Sequence, residues 1–157
     1  MDMIDIEDFP QHLTTLKAKD WAKLFALIPR IDATETFGKV EGGKFDRDVV
    51  TAPYWIPDEI VGQTVQVIRK LNINPVFDWP QWEEGRSILE NKDFDYSSLD
   101  TINLCKLLTT IIRADRFSEG YMISCFQNGI MTKIIRGLES QSRFKADYHD
   151  GVFAVRF

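Results

Sequence analysis

The spacing of apolar positions predicts a chain built mainly from short amphipathic helices. Near the start, large apolar residues recur every three to four positions, which predicts a helix from Asp20 to Ile28. Asp20 is expected to cap this helix, and Pro29 is expected to end it. Another short helix is predicted just upstream, from Pro10 to Lys19.

The period changes between residues 34 and 57, where apolar and polar residues alternate. Gly42-Gly43 is typical of a turn, and the segment from Val49 to Ile56 is rich in β-branched and aromatic residues. This region predicts a β-hairpin or two short strands. Pro53 has no N–H for a β-ladder, so the second strand should lie at a sheet edge or end near this residue.

Helical spacing returns after the hairpin region and continues to about residue 140. Asp78 is expected to cap the helix that reaches about Glu90, with Pro80 in its first turn. The predicted helices run from Asp58 to Leu71, from Asp78 to about Glu90, from Ser97 to about Ala114, from Tyr121 to Asn128-Gly129, and from Ile130 to near Ser140.

The C-terminal tail, residues 144–157, alternates again around Asp150-Gly151, which is a strong hairpin signal. These β-like residues could extend the sheet that begins near residue 34 and bring the two chain ends together. The pattern as a whole predicts an α+β fold: one mainly helical domain, residues 1–157, with a small antiparallel sheet.

Composition and charge narrow the function classes. A length of 157 residues with 44% apolar and 27% charged side chains is typical of one globular domain. The net charge of −5 and the absence of a basic stripe disfavour nucleic-acid binding. The start of the chain is acidic, unlike a signal peptide, and the longest apolar run, Leu24–Ile28, is far shorter than a membrane span. A cytoplasmic location without a membrane partner is therefore expected.

Known catalytic and cofactor motifs are missing from the sequence. His12 and His149 have no metal-ligand neighbours at the usual spacing, and the glycines form no phosphate-binding loop. Cys105 and Cys125 both lie in apolar helical patterns, which predicts two buried free thiols in a reducing compartment. No cofactor and no metal are expected.

The charged turn from Arg113 to Gly120, between two apolar helices, is the leading candidate site. Its four ionisable side chains are costly to desolvate unless they pair. Two guanidinium groups could clamp a phosphate or carboxylate while a carboxylate moves protons. Alternatively, the arginines could bond the acidic residues and free helix-end carbonyls, which is the favoured interpretation. The four side chains are Arg113, Asp115, Arg116 and Glu119.

A group of aromatic residues is the second candidate. It could form a stacking platform for a base or sugar ring, with Trp79 and Trp82 as its binding residues. Aromatic side chains beside turns are more often part of the core, and that interpretation is favoured. The group comprises Tyr54, Trp55, Phe77, Trp79 and Trp82.

The segment from Leu107 to Gly120, with Phe126-Gln-Asn-Gly129, resembles a bacterial family of domains of unknown function, the 6508 group. Phe77-Asp-Trp79, Trp82 and Ala52-Pro-Tyr54 also fit its pattern. The resemblance covers about residues 34–140, the family-like core, and leaves residues 144–157 outside. It implies a bacterial or mobile-element source, and it implies that the residues of the charged turn belong to a shared pattern. It carries no reaction over to this chain.

The sequence therefore favours a non-enzymatic binding or regulatory module that engages a protein partner. The alternative is a small enzyme or ligand-binding domain for a phosphorylated or nucleotide-like small molecule. In that alternative Arg113 and Arg116 clamp the anion, while Asp115 or Glu119 acts as acid or base.

Overall fold

The computed structural model describes residues 2–43, 45–46, 49–50 and 52–147. Its fold is mainly helical α+β, as the sequence predicts. The chain begins with three short helices: α1 (Phe9–Thr15), α2 (Ala18–Phe25) and α3 (Ile28–Ala33). Among the described residues, none of the helices combines the length and the apolar character needed to cross a bilayer.

Two predicted helix boundaries in this first segment are wrong. Asp20 does not begin α2 but lies in its first turn, where its carboxylate accepts the N–H of Lys17 at 2.8 Å. Pro29 does not end a helix but lies in the first turn of α3. A proline is tolerated there because the first N–H groups of a helix have no partner within the helix.

The hairpin predicted between residues 34 and 57 is present. It contains β1 (Gly38–Glu41), β2 (Phe45–Asp46), β3 (Val49–Val50) and β4 (Tyr54–Pro57). β1 pairs antiparallel with β4, and β2 pairs antiparallel with β3. The two ladders share one register, so the inner pair continues the hairpin formed by the outer pair. The break between the two ladders falls where Gly42 and Gly43 both have positive φ, opposite Pro53.

α4 (Glu59–Leu71) follows the hairpin as predicted. It begins with a hydrogen bond from the N–H of Ile60 to the Asp58 carboxylate and ends at Asn72 in the left-handed conformation. His12 Nε2 lies 2.8 Å from the Leu71 carbonyl oxygen, so α1 is held against the end of α4.

The second half of the chain begins with a 3-10 turn at Trp79–Gln81, α5 (Glu83–Glu90) and a second 3-10 turn at Tyr96–Ser98. Asp78 makes no capping bond, contrary to the prediction. α6 (Thr101–Ala114) begins after Asp100, whose carboxylate accepts the N–H of Asn103, and not at Ser97.

Two more helices complete the described chain: α7 (Tyr121–Gln127) and α8 (Ile130–Asp147). α8 continues beyond the predicted end near Ser140, so the predicted β-like character of residues 144–147 is wrong. After the apolar face of α8 ends, its polar residues still favour a helix, and the helix therefore extends into the alternating segment. The remainder of the predicted tail, residues 148–157, lies outside the described residues.

α6 is the central element of the core. It contacts α5, α7 and α8, and its apolar side chains are buried on several sides. Leu104, Leu107, Leu108 and Ile111 have no exposed surface. A helix held this firmly presents its C-terminal end, where the charged turn begins, in a fixed position.

Candidate functional site

The carboxylate of Asp115 joins the end of α6 to the start of α7. Asp115 is the C-terminal capping residue of α6, and its Oδ1 accepts the N–H of Met122 in the first turn of α7, at 3.0 Å. This bond satisfies one of the N–H groups that a helix start leaves without a partner. The role of Asp115 in the charged turn is therefore structural.

Glu119 joins the charged turn to the hairpin. Its Oε1 accepts the backbone N–H of Trp55 in β4, at 3.0 Å. The adjacent Gly120 has φ +87°, and an added Cβ would lie 2.5 Å from the Trp55 indole nitrogen. Because the backbone of the turn approaches the indole so closely, only glycine fits without displacing one of them.

The two arginines of the turn behave differently from its two acids. Arg113 is half-buried and Arg116 is exposed. Within the described part of the chain, neither guanidinium takes part in an ion pair, and the acidic neighbours bond to backbone N–H groups instead. The favoured interpretation, arginines paired with the acids, is wrong in this respect. The turn separates into structural acids and arginines whose charges remain available.

Both arginines line a cavity of about 660 Å³, here called the basic cavity. One wall is formed by α4, and the others by the end of α6, the charged turn and residues near the N-terminus. Its four cationic side chains are Arg69, Lys70, Arg113 and Arg116, and no acidic side chain lines it among the described residues. The cavity therefore concentrates positive charge in a chain whose net charge is −5.

The C-terminal ends of α4 and α6 both face the basic cavity. Arg69 and Lys70 lie in the last turn of α4, and Arg113 lies in the last turn of α6. The partial negative charge of a helix end favours nearby cations. Part of the positive charge therefore offsets these helix ends, and an anion would be bound by side chains and not by helix N–H groups.

The aromatic group does not form one cluster, and none of its five members belongs to the fully buried core. Tyr54 and Trp55 are 44% and 38% exposed on the hairpin, so the core interpretation is wrong for them. Trp82 packs edge-on against Phe77 and partly against the core. Trp79 and Trp82 both line a small cavity of about 260 Å³. The Trp79 ring also has its centroid 6.1 Å from that of Phe117.

The pair Trp79–Phe117 adjoins the charged turn. A second cavity of about 410 Å³ is lined by these two rings, Pro80, Arg113 and Arg116. We call it the aromatic cavity. Arg113 and Arg116 line both the aromatic cavity and the basic cavity, so they lie between these two cavities.

Lys106 lies over two of the remaining aromatic rings. Its Nζ is 4.2 Å from the ring centroid of Trp82 and 4.8 Å from that of Phe77. Such contacts stabilise a cation on an aromatic face. Desolvation lowers the pKa of Lys106, opposed by the nearby Glu84 and Asp100 carboxylates. Trp82 therefore contacts Lys106 and does not line the aromatic cavity.

Three residues of the site escaped the sequence analysis. Arg69 and Lys70 resemble the usual basic last turn of a helix, but they share a polar face with Gly62 and Gln66, at helical spacing. That polar face was the available signal. Phe117, a large apolar residue within the charged turn, was a second signal, and it is 83% exposed.

Cys105 and Cys125 are both free and buried, as predicted. Burial raises the pKa of Cys125 from its ordinary value of 9.0 to about 11. Burial also raises the pKa of Cys105 and of Tyr121. A thiol with a raised pKa is mostly protonated near neutral pH and is a poor nucleophile.

These pKa values predict a loss of stability in alkali. The folded state keeps the thiols protonated, whereas the unfolded thiols ionise above their ordinary pKa of 9.0. The contribution of the thiols to the free energy of unfolding should therefore be constant below about pH 8, and should fall by roughly 1 kcal/mol per buried thiol by pH 10. Urea unfolding at pH 7, 9 and 10 measures this, and Cys125→Ala should reduce the slope. Equal free energies of unfolding at pH 7 and pH 10 would contradict the raised pKa values of the thiols.

Within the described residues, no group of three or more histidine, cysteine, aspartate or glutamate side chains is placed to hold a metal ion.

The fold and site define a helical α+β domain with a basic cavity between its fourth and sixth helices. The model of the Family of unknown function (DUF6508) matches residues 16–143 of the chain. The protein belongs to this family, which confirms the resemblance. The match begins earlier than the expected family-like core of residues 34–140, so α2 and α3 lie within it. No match was found among curated proteins or among solved structures.

Proposed function

We propose that this protein is a binding domain for a small anionic molecule, held in the basic cavity through Arg113 and Arg116. The observation that carries the proposal is the lining of the cavity. Four cations and no acidic side chain face it among the described residues, although the chain has more acids than bases. This is the ligand-binding alternative of the sequence analysis, and the lining of the basic cavity supports it.

The charge distribution supports an anionic ligand. Neighbouring cations repel one another, and the repulsion between Arg113 and Arg116 is relieved when an anion lies between them. Guanidinium groups suit this role because their N–H donors match the oxygens of phosphate and carboxylate in pairs. With no ion pair to break among the described residues, the two side chains need little rearrangement to bind.

The size and lining of the cavity support a ligand of small-molecule dimensions. Ligand cavities are usually about 300–1,000 Å³, mostly apolar, with a few polar groups that fix the orientation. The basic cavity, at about 660 Å³, lies within this range. Val61, Val65 and Ile112 supply apolar wall between the cations.

Binding is a better-supported proposal than catalysis. The acid or base of the alternative was Asp115 or Glu119, but both carboxylates accept backbone N–H bonds and neither lines the basic cavity. Their geometry suits holding the turn in place. We further propose a bacterial source, which the family resemblance implies, and a cytoplasmic setting, for which the two free buried thiols are the support.

Titration with inorganic pyrophosphate tests the proposal. Wild-type protein should gain thermal stability with pyrophosphate, and Arg113→Gln and Arg116→Gln should each weaken binding by about 10- to 100-fold, since each removes a charged hydrogen bond. Calorimetry gives the affinities. Arg30→Gln, an exposed arginine on α3 outside the cavity, is the matched control and should bind as wild type. Folded wild-type protein that does not respond to pyrophosphate would contradict the proposal.

A protein partner is the second candidate, favoured by exposed apolar side chains on the hairpin. Val40 and Trp55 are cross-strand partners, and they are 52% and 38% exposed. Affinity capture from the native host with wild type, Val40→Lys and Arg113→Gln compares the hairpin surface with the basic cavity. A partner lost with Val40→Lys and retained with Arg113→Gln would support this candidate, and equal capture by both variants would count against it.

A further inference from the structure

Phe117 is the feature that the proposed function leaves unexplained. Its side chain is 83% exposed, although it lies in a turn whose neighbours are firmly held. A single exposed apolar side chain is common on a protein surface, but Phe117 lines a cavity together with a second large aromatic ring, that of Trp79. Phe117 is next to Arg116, and its ring lies beside that of Trp79.

The two rings form a stacking surface at the edge of the aromatic cavity. Their centroids are 6.1 Å apart and their planes are tilted by 41°. At that separation the rings contact each other, so no third ring fits between them. A planar ligand would therefore stack on the outer face of Phe117 or of Trp79, within the aromatic cavity.

Arg113 and Arg116 determine what such a planar group must carry. Both line the aromatic cavity as well as the basic cavity. A ligand that stacks on Phe117 thus has its next atoms beside two guanidinium groups, and Arg69 and Lys70 also line the basic cavity. The arrangement suits a molecule with an aromatic ring at one end and an anionic chain at the other.

The number of cations fits several linked phosphates better than one. Each phosphate group carries about one to two negative charges near neutral pH. Four cationic side chains line the basic cavity, and the two helix ends offset about one of these charges, so a diphosphate or triphosphate comes close to matching the rest. A single carboxylate would leave most of that charge uncompensated.

From this geometry we propose that the ligand is a nucleotide, with its phosphates in the basic cavity and its base stacked on the Trp79–Phe117 pair. The proposal rests on the proposed function, since the phosphates occupy the same cavity. Phe117 and Trp79 determine the preference for a base, and the cations determine the preference for phosphates. Stacking on aromatic rings accepts any base, because every base has a π face.

Comparison of four probes tests the two halves of the ligand separately. ATP, inorganic tripolyphosphate, ribose 5-phosphate and adenosine are titrated by calorimetry in the absence of divalent cations. ATP should bind about tenfold more tightly than tripolyphosphate, because of stacking. Ribose 5-phosphate should bind more weakly than tripolyphosphate, and adenosine should bind weakest of all.

Phe117→Ser should remove the advantage of ATP over tripolyphosphate and leave tripolyphosphate binding unchanged. The matched control is Tyr54→Ser, which removes another exposed aromatic ring, on the hairpin, and should leave both affinities unchanged. Equal binding of ATP and tripolyphosphate by wild type would overturn the nucleotide proposal and leave anion binding standing. Failure of both probes to bind would overturn both proposals. An ATP advantage that survives in Phe117→Ser and in Trp79→Ser would overturn the stacking role.

Discussion

Gly120→Ala should lower the free energy of unfolding by about 2–4 kcal/mol, the largest stability effect that we expect outside the core. Two costs combine at this position. The φ of +87° is strained for any residue with a Cβ, and the new Cβ would lie 2.5 Å from the Trp55 indole nitrogen. Thermal unfolding measures the loss, which corresponds to a midpoint about 5–15 °C lower.

Gly129→Ala is the matched control for Gly120→Ala. Gly129 has nearly the same φ, +85°, but a Cβ added there meets nothing within 4 Å. It should therefore show only the backbone cost, about 1 kcal/mol. Adding Trp55→Ala to Gly120→Ala should recover the difference, since the indole is the obstacle. Equal losses for the two glycine variants would show that the close approach of the turn to the hairpin is not as described.

Gly62→Trp should abolish pyrophosphate binding, at least about 100-fold, without unfolding the protein. Gly62 lies on α4 and lines the basic cavity, and a Cβ added there meets nothing within 4 Å. A large side chain at this position can occupy the part of the basic cavity in which the ligand would bind. Glycine also disfavours a helix, so the substitution should not reduce the free energy of unfolding.

Gly62→Ala separates the two effects. It should stabilise the protein by about 0.5–1 kcal/mol through helix propensity, while pyrophosphate binding stays close to wild type. Chemical unfolding and calorimetry on the same samples give both quantities. Full pyrophosphate affinity in the folded Gly62→Trp variant would place the ligand elsewhere.

The sequence was informative wherever a single segment determines its own structure. The hairpin followed from alternation between residues 34 and 57, and the extent of α4 followed from the helical spacing between Asp58 and Leu71. Helix boundaries that depend on packing were harder to predict from the sequence. Pro29 was expected to end a helix, although proline is equally suited to begin one.

The site was only partly predictable, because its two halves meet through tertiary structure. Arg113 and Arg116 were visible as neighbours in one turn. Arg69 and Lys70 are more than forty residues away in the chain, and they join the arginines only because α4 and the end of α6 line the same cavity. The division of the turn into structural acids and available arginines likewise depends on Trp55, which belongs to the hairpin.

The nuclear magnetic resonance signals of the arginine side-chain Nε–H groups test the central claim most directly. If the basic cavity binds an anion through Arg113 and Arg116, pyrophosphate should shift their signals in a saturable way. Signals of Arg30 and of Arg136, which pairs with Asp32 on another surface, should stay in place. Saturable shifts confined to arginines other than Arg113 and Arg116, or no shifts at millimolar pyrophosphate, would contradict the claim.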